Sequence, residues 1–392
     1  MLHLERLGAE IEALGRQAAQ THRQCVDEVE IACRWLQEAP TPAELRQLAR
    51  PFTGPQSEWE GAVPVTDDPL DCCYATEELP APGTIAIAVD GSQIFPDRHA
   101  ALTYALLQVG SLTFRYNGLA PSPTNQARLY YEEGELFDEK TGLPVTPQRW
   151  GMRRTVWEAQ YLAEQAHQER DRHPDTPILA LTDGPLLWSY IERSREDAEA
   201  FRDYLEALTH LSQAGALAAG FVERPGGRRW IELLWLSRLT PEGTPRHPGE
   251  SKLLTLTDHD LMARYLAPGE RSVWLERPSP TNHRHAGHGH PIWFCYMNTG
   301  DTGYPIIARL EAPAWVARHE PSSRLLQTTL WHQARLLNGY PYVLARAHEE
   351  AVVSTEDKAA LEGLLLRQLW QQGIPVRPSE KSRQKSNLGR KH

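Results

Sequence analysis

Residues 84–94 read TIAIAVDGSQI, a short run of apolar and β-branched residues that ends on Asp90-Gly91. The run is too short for a helix and closes on a turn dipeptide, so it predicts a buried strand feeding a turn. The same order recurs at 177–187, PILALTDGPLL: apolar strand, Asp183-Gly184, turn. Each carboxylate thus stands at the C-terminal end of a buried strand, beside a glycine that lets the chain turn sharply or a ligand approach. If the two strands are neighbours, the carboxylates share one crevice and repel unless a cation neutralises them. Mg²⁺ or Mn²⁺ with oxygen ligands is the natural complement. Asp-Gly also makes ordinary turns, and either site alone reads as one. The pair is what points to chemistry.

Working outward, residues 1–38 predict a helix, with Leu4, Leu7, Ile11, Leu14 and Ala18 at helical spacing. PTPAEL (40–45) breaks it and starts another, and 51–82 is rich in Gly, Pro and acidic residues, as an irregular connection is. AALTYALLQVGSLTFRY (100–116) predicts two strands broken at Gly110–Ser111. A helix is expected over 147–172, with Trp157, Tyr161 and Leu162 inward, and another over about 195–214. AAGFVERP and RRWIELLWLSRL (218–239) predict two strands, and PIWFCYMN with PIIARLEAPAWVA (291–317) two more. A helix over 321–337, a strand YPYVLARAH (340–348) and a last helix N-capped by Ser354, with Leu361, Leu364, Leu365 and Leu369 as its apolar stripe, complete a mixed α/β order.

The 392 residues carry 41 basic and 51 acidic side chains, a net charge of −10. Hydrophobic residues at 41% and charged residues at 23% exclude wholesale disorder. The longest apolar runs, such as Leu233–Leu236 and Leu364–Leu366, are far too short to span a bilayer, and the N-terminus has no secretory pattern. Five cysteines without a CxxC framework fit reduced thiols in a cytoplasm. The last 17 residues hold six basic and one acidic residue, a +5 tail on a −15 body. Such a tail is either a solvated terminus or a nucleic-acid contact.

Four motifs in order resemble the NurA nucleases: AVDGSQ (88–93), LTDGPLL (181–187), AAGFVERP (218–225) and GYPYVLARAHEEAVVS (339–354). The resemblance runs over roughly 84–386. It implies an α/β fold, a ribonuclease H-like mixed sheet flanked by helices with an N-terminal helical extension. On that basis 1–50 is the helical extension, 51–83 an irregular connection, 84–376 the nuclease domain and 377–392 the basic tail. It also implies a DNA nuclease using Mn²⁺ (or Mg²⁺), with 5′-to-3′ exonuclease and single-strand endonuclease activity in end resection and double-strand break repair. The implied partners are DNA, a HerA-type hexameric ATPase and a second copy of the chain, with no membrane.

Carried over residue by residue, the resemblance makes Asp90 and Asp183 metal ligands. It adds an acidic residue on the helix before the second strand, Glu158 or Glu164. Glu158 is preferred because it follows Arg153–Arg154 at the family's spacing. Six residues of helix turn the chain by roughly 600°, so both cannot face one metal. The C-terminal motif supplies Tyr340 and His348, an even separation that on a strand keeps both on one face. His348 could bind metal or handle a proton, and Tyr340 could orient a phosphate or a water. Equally, the two fit a core aromatic and a hydrogen-bonded strand end. Relatives often show a basic residue where this chain has Glu223, which leaves Arg224, Arg228 and Arg229 as substitute phosphate contacts or as plain surface arginines.

HRHAGHGH (283–290) reads as a flexible loop with adventitious metal affinity, and Cys72–Cys73 as two unrelated thiols. Two other functions compete. A strand followed by DGS also occurs in actin-like phosphotransferases, but no second Gly-rich phosphate loop is present. The chain could also be a DNA-clamping adaptor of a motor ATPase that has lost cleavage.

Overall fold

The structure is a computed structural model, described for residues 4–76, 79–97, 102–138, 141–240, 242–247 and 251–374. The basic tail at 377–392 lies outside the described residues. The main helices are α1 (Gly8–Gln37), α2 (Pro42–Ala49), α3 (Pro147–Arg172), α4 (Arg195–Gln213), α5 (Arg229–Ser237), α6 (Asp258–Tyr265), α7 (Pro280–Gly287), α8 (Glu320–Arg335), α9 (Tyr342–Ala351) and α10 (Thr355–Gln371). The longer strands are β1 (Ile85–Ile94), β2 (Ala105–Arg115), β3 (Ser122–Tyr130), β4 (Ile178–Asp183), β5 (Ala216–Glu223), β6 (Ile292–Asn298) and β7 (Ile307–Pro313). Among the described residues no helix is long and apolar enough to cross a membrane.

The chain divides into two compact units. The first holds the N-terminal segment to Pro82, Asp183–Ser189 and Leu217–Tyr342; the second holds Gly83–Thr182, Tyr190–Ala216 and the chain from Val343.

In the second unit the strands run in the order β3-β2-β1-β4. β1, β2 and β3 pair antiparallel, and β1 pairs parallel with β4 from Ile85 opposite Ile178 to Val89 opposite Thr182. Parallel neighbours need a crossover, and α3 supplies it while packing on β1 and α4. The helix begins where Thr146 accepts a hydrogen bond from the Arg149 N–H with Pro147 in the first turn. Its face is fixed by Trp150 edge-on to Tyr130 (5.1 Å) and by Tyr161, whose hydroxyl meets Thr124 at 2.9 Å. At its far end Glu169, nearly buried, takes a two-bond clasp from Arg115 (2.7 and 2.9 Å) and a third bond from Arg172.

In the first unit β5, β7 and β6 pair antiparallel, and the short strand Leu275–Glu276 joins β6 to Val63–Pro64. Its core collects Ala32, Trp35 and Leu36 of α1, Leu45 of α2, Trp230 and Leu234 of α5, and Phe294 and Tyr296 of β6. The stripe on α1 therefore splits. Its C-terminal end is core, while Leu4, Ile11 and Leu14 stay more than half exposed.

Several expectations are corrected. β2 runs unbroken through Gly110–Ser111, and the segment 229–237 is helix rather than strand. The stretch 340–348 is no strand: α9 starts at Tyr342. Val343, Leu344, Ala347 and Ala351 are its buried residues, a helical period that strict alternation would not bury. The histidine tract is a loop only at its end: His283 and His285 lie in helix α7, N-capped by Ser279 with Pro280 in its first turn, and His288 and His290 follow it. The stripe on α10 is shallow; Leu361 and Leu365 pack partly on Ile94, Tyr104 and Leu106, and Leu364 is 58% exposed.

Candidate functional site

Within the second unit Asp90 sits at the sixth position of β1, beyond the last rung shared with β4. One of its oxygens accepts from the Gly91 N–H at 2.8 Å. The other, Oδ2, lies 2.6 Å from His348 Nδ1. Paired with a carboxylate, Nδ1 carries the proton, which leaves Nε2 to face outward on a side chain that is 62% exposed.

Three contacts bring α9 to this place. A Cβ added to Gly110 would lie 2.4 Å from the Ala351 nitrogen, so the glycine that looked like a strand break is where the helix end rests on β2. Gln108 donates to the Glu350 carbonyl at 3.0 Å, and the Ser92 hydroxyl donates to that of Ala351.

Glu158 enters from α3. A Cβ on Gly91 would come within 2.4 Å of Glu158 Oε1 and 2.9 Å of Arg154 Cγ, so only glycine after Asp90 admits this helix face. Glu158 is paired with Arg154 at 3.0 Å one turn back, and Arg154 also donates to Gln93 on β1. Glu164, the alternative, is exposed and bonded to Gln168. Within one unit, Asp90 is thus bonded to His348, and Glu158 packs on Gly91, the residue next to Asp90.

Asp183 and Tyr340 are assigned to the other unit. Asp183 follows Thr182 as Asp90 follows Val89, so the two aspartates are the next residues beyond the last parallel rung. Gly184, at φ +103°, turns the chain and donates to the Phe221 carbonyl at 2.8 Å. Tyr340 packs edge-on against Phe221, centroids 5.6 Å apart, two residues ahead of α9.

Among the described residues no three His, Cys, Asp or Glu side chains converge closely enough to hold a metal ion. The donor set nevertheless suits one: Asp90 accepts from the Gly91 N–H and Glu158 packs on the same glycine, and carboxylate oxygens are the ligands Mn²⁺ and Mg²⁺ prefer.

The three arginines have different situations. Arg224 is 83% exposed, in a left-handed conformation, with only a long 3.8 Å approach to Glu223. Arg228 spends its guanidinium on the carbonyls of Leu253, Leu254 and Leu256. Arg229 lies over the Phe294 ring, and burial, with Arg309 nearby, lowers its pKa. Sequence reasoning missed Asp258. Wholly buried, it accepts from the N–H groups of Arg229, Trp230 and Ile231 and from the Tyr296 hydroxyl, holding the start of α5.

Known structures similar to this chain include the NurA nuclease from Sulfolobus solfataricus, 12% identical over 91% of this chain and 98% of that one, at a TM-score of 0.48. Others are NurA with manganese (14% identity, 75% and 90% covered, TM-score 0.34) and NurA bound to dAMP and manganese (13%, 71% and 87%, 0.31). No curated protein matches the chain at a comparable level. The NurA domain profile matches residues 85–353, from the first residue of β1 to just past α9 and so through every element described around Gly91. On that match, which covers well over half of its length, the chain belongs to the NurA family.

Proposed function

We propose that the chain is a divalent-metal-dependent DNA nuclease. The observation that carries this reading is the Asp90–His348 bond next to the Gly91–Glu158 contact, inside the region of the family match. The strand order β3-β2-β1-β4, three antiparallel strands and a fourth parallel to the first across α3, supports a ribonuclease H-like catalytic core within 84–376. In this reading 1–50, 51–83 and 377–392 are the extension, connection and tail.

Asp90, Glu158 and Asp183 would hold Mn²⁺ or Mg²⁺, with His348 as a further ligand or a proton carrier. Bound there, the ion supplies an acidified water and neutralises charge on the scissile phosphate. The chain's own residues do the rest. Asp90 fixes the His348 tautomer, so that Nε2 can take a proton from the attacking water or return one to the leaving oxygen. Arg154 neutralises Glu158 until a cation takes its place. Tyr340, its ring held on Phe221, would present a hydroxyl to phosphate, and Arg224, with Arg228 and Arg229 after it in the chain, would contact the DNA backbone, Arg224 offering the most exposed guanidinium. A net-acidic body gains little from long-range attraction to DNA, which supports delivery of DNA by a partner such as a HerA-type ATPase. In this reading the protein works as a cytoplasmic homodimer in end resection and break repair.

Digestion of 5′- and 3′-labelled DNA in Mn²⁺ and Mg²⁺ by the parent and by Asp90→Ala tests this. Cleavage by the parent alone is expected. Equal cleavage by both sinks the assignment. The Glu158–Arg154 pairing favours a second reading, a non-cleaving adaptor, and DNA binding without cleavage in either metal would select it.

A further inference from the structure

The segment that follows Asp183 is held more tightly than a turn requires. Gly220 on β5 lies opposite Glu311 on β7. A Cβ on Gly220 would fall 2.5 Å from the Gly184 carbonyl oxygen and 2.9 Å from the Leu186 nitrogen, so the segment rests directly on β5. Beside this seat Glu311 Oε2 accepts the Leu187 N–H at 3.0 Å, while Arg309 holds Oε1 at 2.9–3.0 Å. One residue on, the Trp188 N–H reaches His285 Nε2 at 3.3 Å. Glu311 is 5% exposed and His285 is fully buried.

A buried carboxylate and a buried imidazole are costly ways to satisfy two backbone N–H groups. Burial pushes the His285 pKa down to about 3, so the ring stays a neutral acceptor. The fixed segment ends in the exposed Asp183 carboxylate.

We propose that Glu311 and His285 are positioning residues that aim Asp183 by clamping residues 184–188 onto β5 and β7. This gives the histidine tract a function that sequence reading left open. It rests on Asp183 being a metal ligand.

The test is Mn²⁺ affinity of the full chain, read by titration calorimetry and by the paramagnetic resonance signal of free Mn²⁺. Asp183→Asn sets the reference: no loss there means Asp183 is not a ligand, and the metal reading itself fails whatever Glu311 does. Given a loss, Glu311→Ala and His285→Leu are expected to weaken Mn²⁺ roughly 10-fold, the scale for removing a group that orients a ligand. Glu311→Gln and His285→Asn keep an acceptor and should recover most of it. Leu310→Ala, on the same buried strand, should lower Tm and leave Mn²⁺ affinity unchanged. Parent-like affinity in the two deletions, or equal weakening by Leu310→Ala, overturns the inference. If Glu311→Ala does not fold, the His285 pair decides alone: equal affinities in Leu and Asn variants refute it.

Discussion

Gly91 and Glu158 occupy space that a single methyl group would contest: the Cβ position of one lies 2.4 Å from a carboxylate oxygen of the other. Strand and helix are therefore in register at the residue next to Asp90. Gly91→Ala must push Glu158 and Arg154 outward, at a cost of about 1–3 kcal/mol for overpacking. Mn²⁺ affinity should fall with it, and calorimetry on the folded variant measures this directly.

On the proposed reading, Arg154, paired with Glu158 at 3.0 Å, competes with a cation for it. Arg154→Ala leaves the carboxylate next to Asp90 without its guanidinium, so the metal-free variant should melt below the parent. Adding Mn²⁺ should raise its Tm by more than it raises that of the parent, since binding to the folded state stabilises in proportion to affinity. A smaller Mn²⁺-induced rise than the parent's would show that the arginine helps the site.

His348 holds its place through the helix end, not through burial. His348→Ala should lower kcat by roughly 10²–10⁴ with little change in KM, as expected for loss of a general acid or base. Gly110→Ala, which lifts α9 from β2, should show the same kcat loss with His348 still present. Single-turnover cleavage compares them.

Glu169 reports on fold stability. Burial alone would raise its pKa, but the bonds and charges of Arg115 and Arg172 outweigh this and hold it below the usual glutamate value. A depressed folded pKa means the stabilisation is present above the ordinary glutamate range and is lost as pH falls through the folded value. Glu169→Gln should therefore flatten the acid limb of the stability profile below about pH 4. At pH 7 it should lose about 3–5 kcal/mol by leaving Arg115 unpaired, which urea unfolding at each pH would register.

Much of this was legible in the chain. The two Asp-Gly strand ends and the helix 147–172 announce themselves through apolar runs and caps, because local burial writes a local pattern. Helical phase showed that Glu158 and Glu164 cannot both face one metal, and the spacing after Arg153–Arg154 preferred Glu158. Two of the failures share a cause: short apolar stretches where helix and strand periods overlap. YVLARAHEEA and RRWIELLWLS satisfy either pattern over a few residues, and packing decides. Gly110 was misread because its reason, the end of α9, is remote in sequence. The jobs of Glu311 and His285 were invisible for the same reason, since each addresses a backbone N–H roughly a hundred residues away.

The Asp90–His348 bond joins residues 258 positions apart. During synthesis the first strand, its aspartate and the α3 glutamate emerge long before the helix that carries the histidine. A chain interrupted before His348 has its carboxylates but neither the imidazole nor the backbone carbonyl of Ala351 that Ser92 grips. Cutting capacity, on the proposed reading, is thus withheld until the helix that carries His348 has been made and has docked on the strand that carries Asp90.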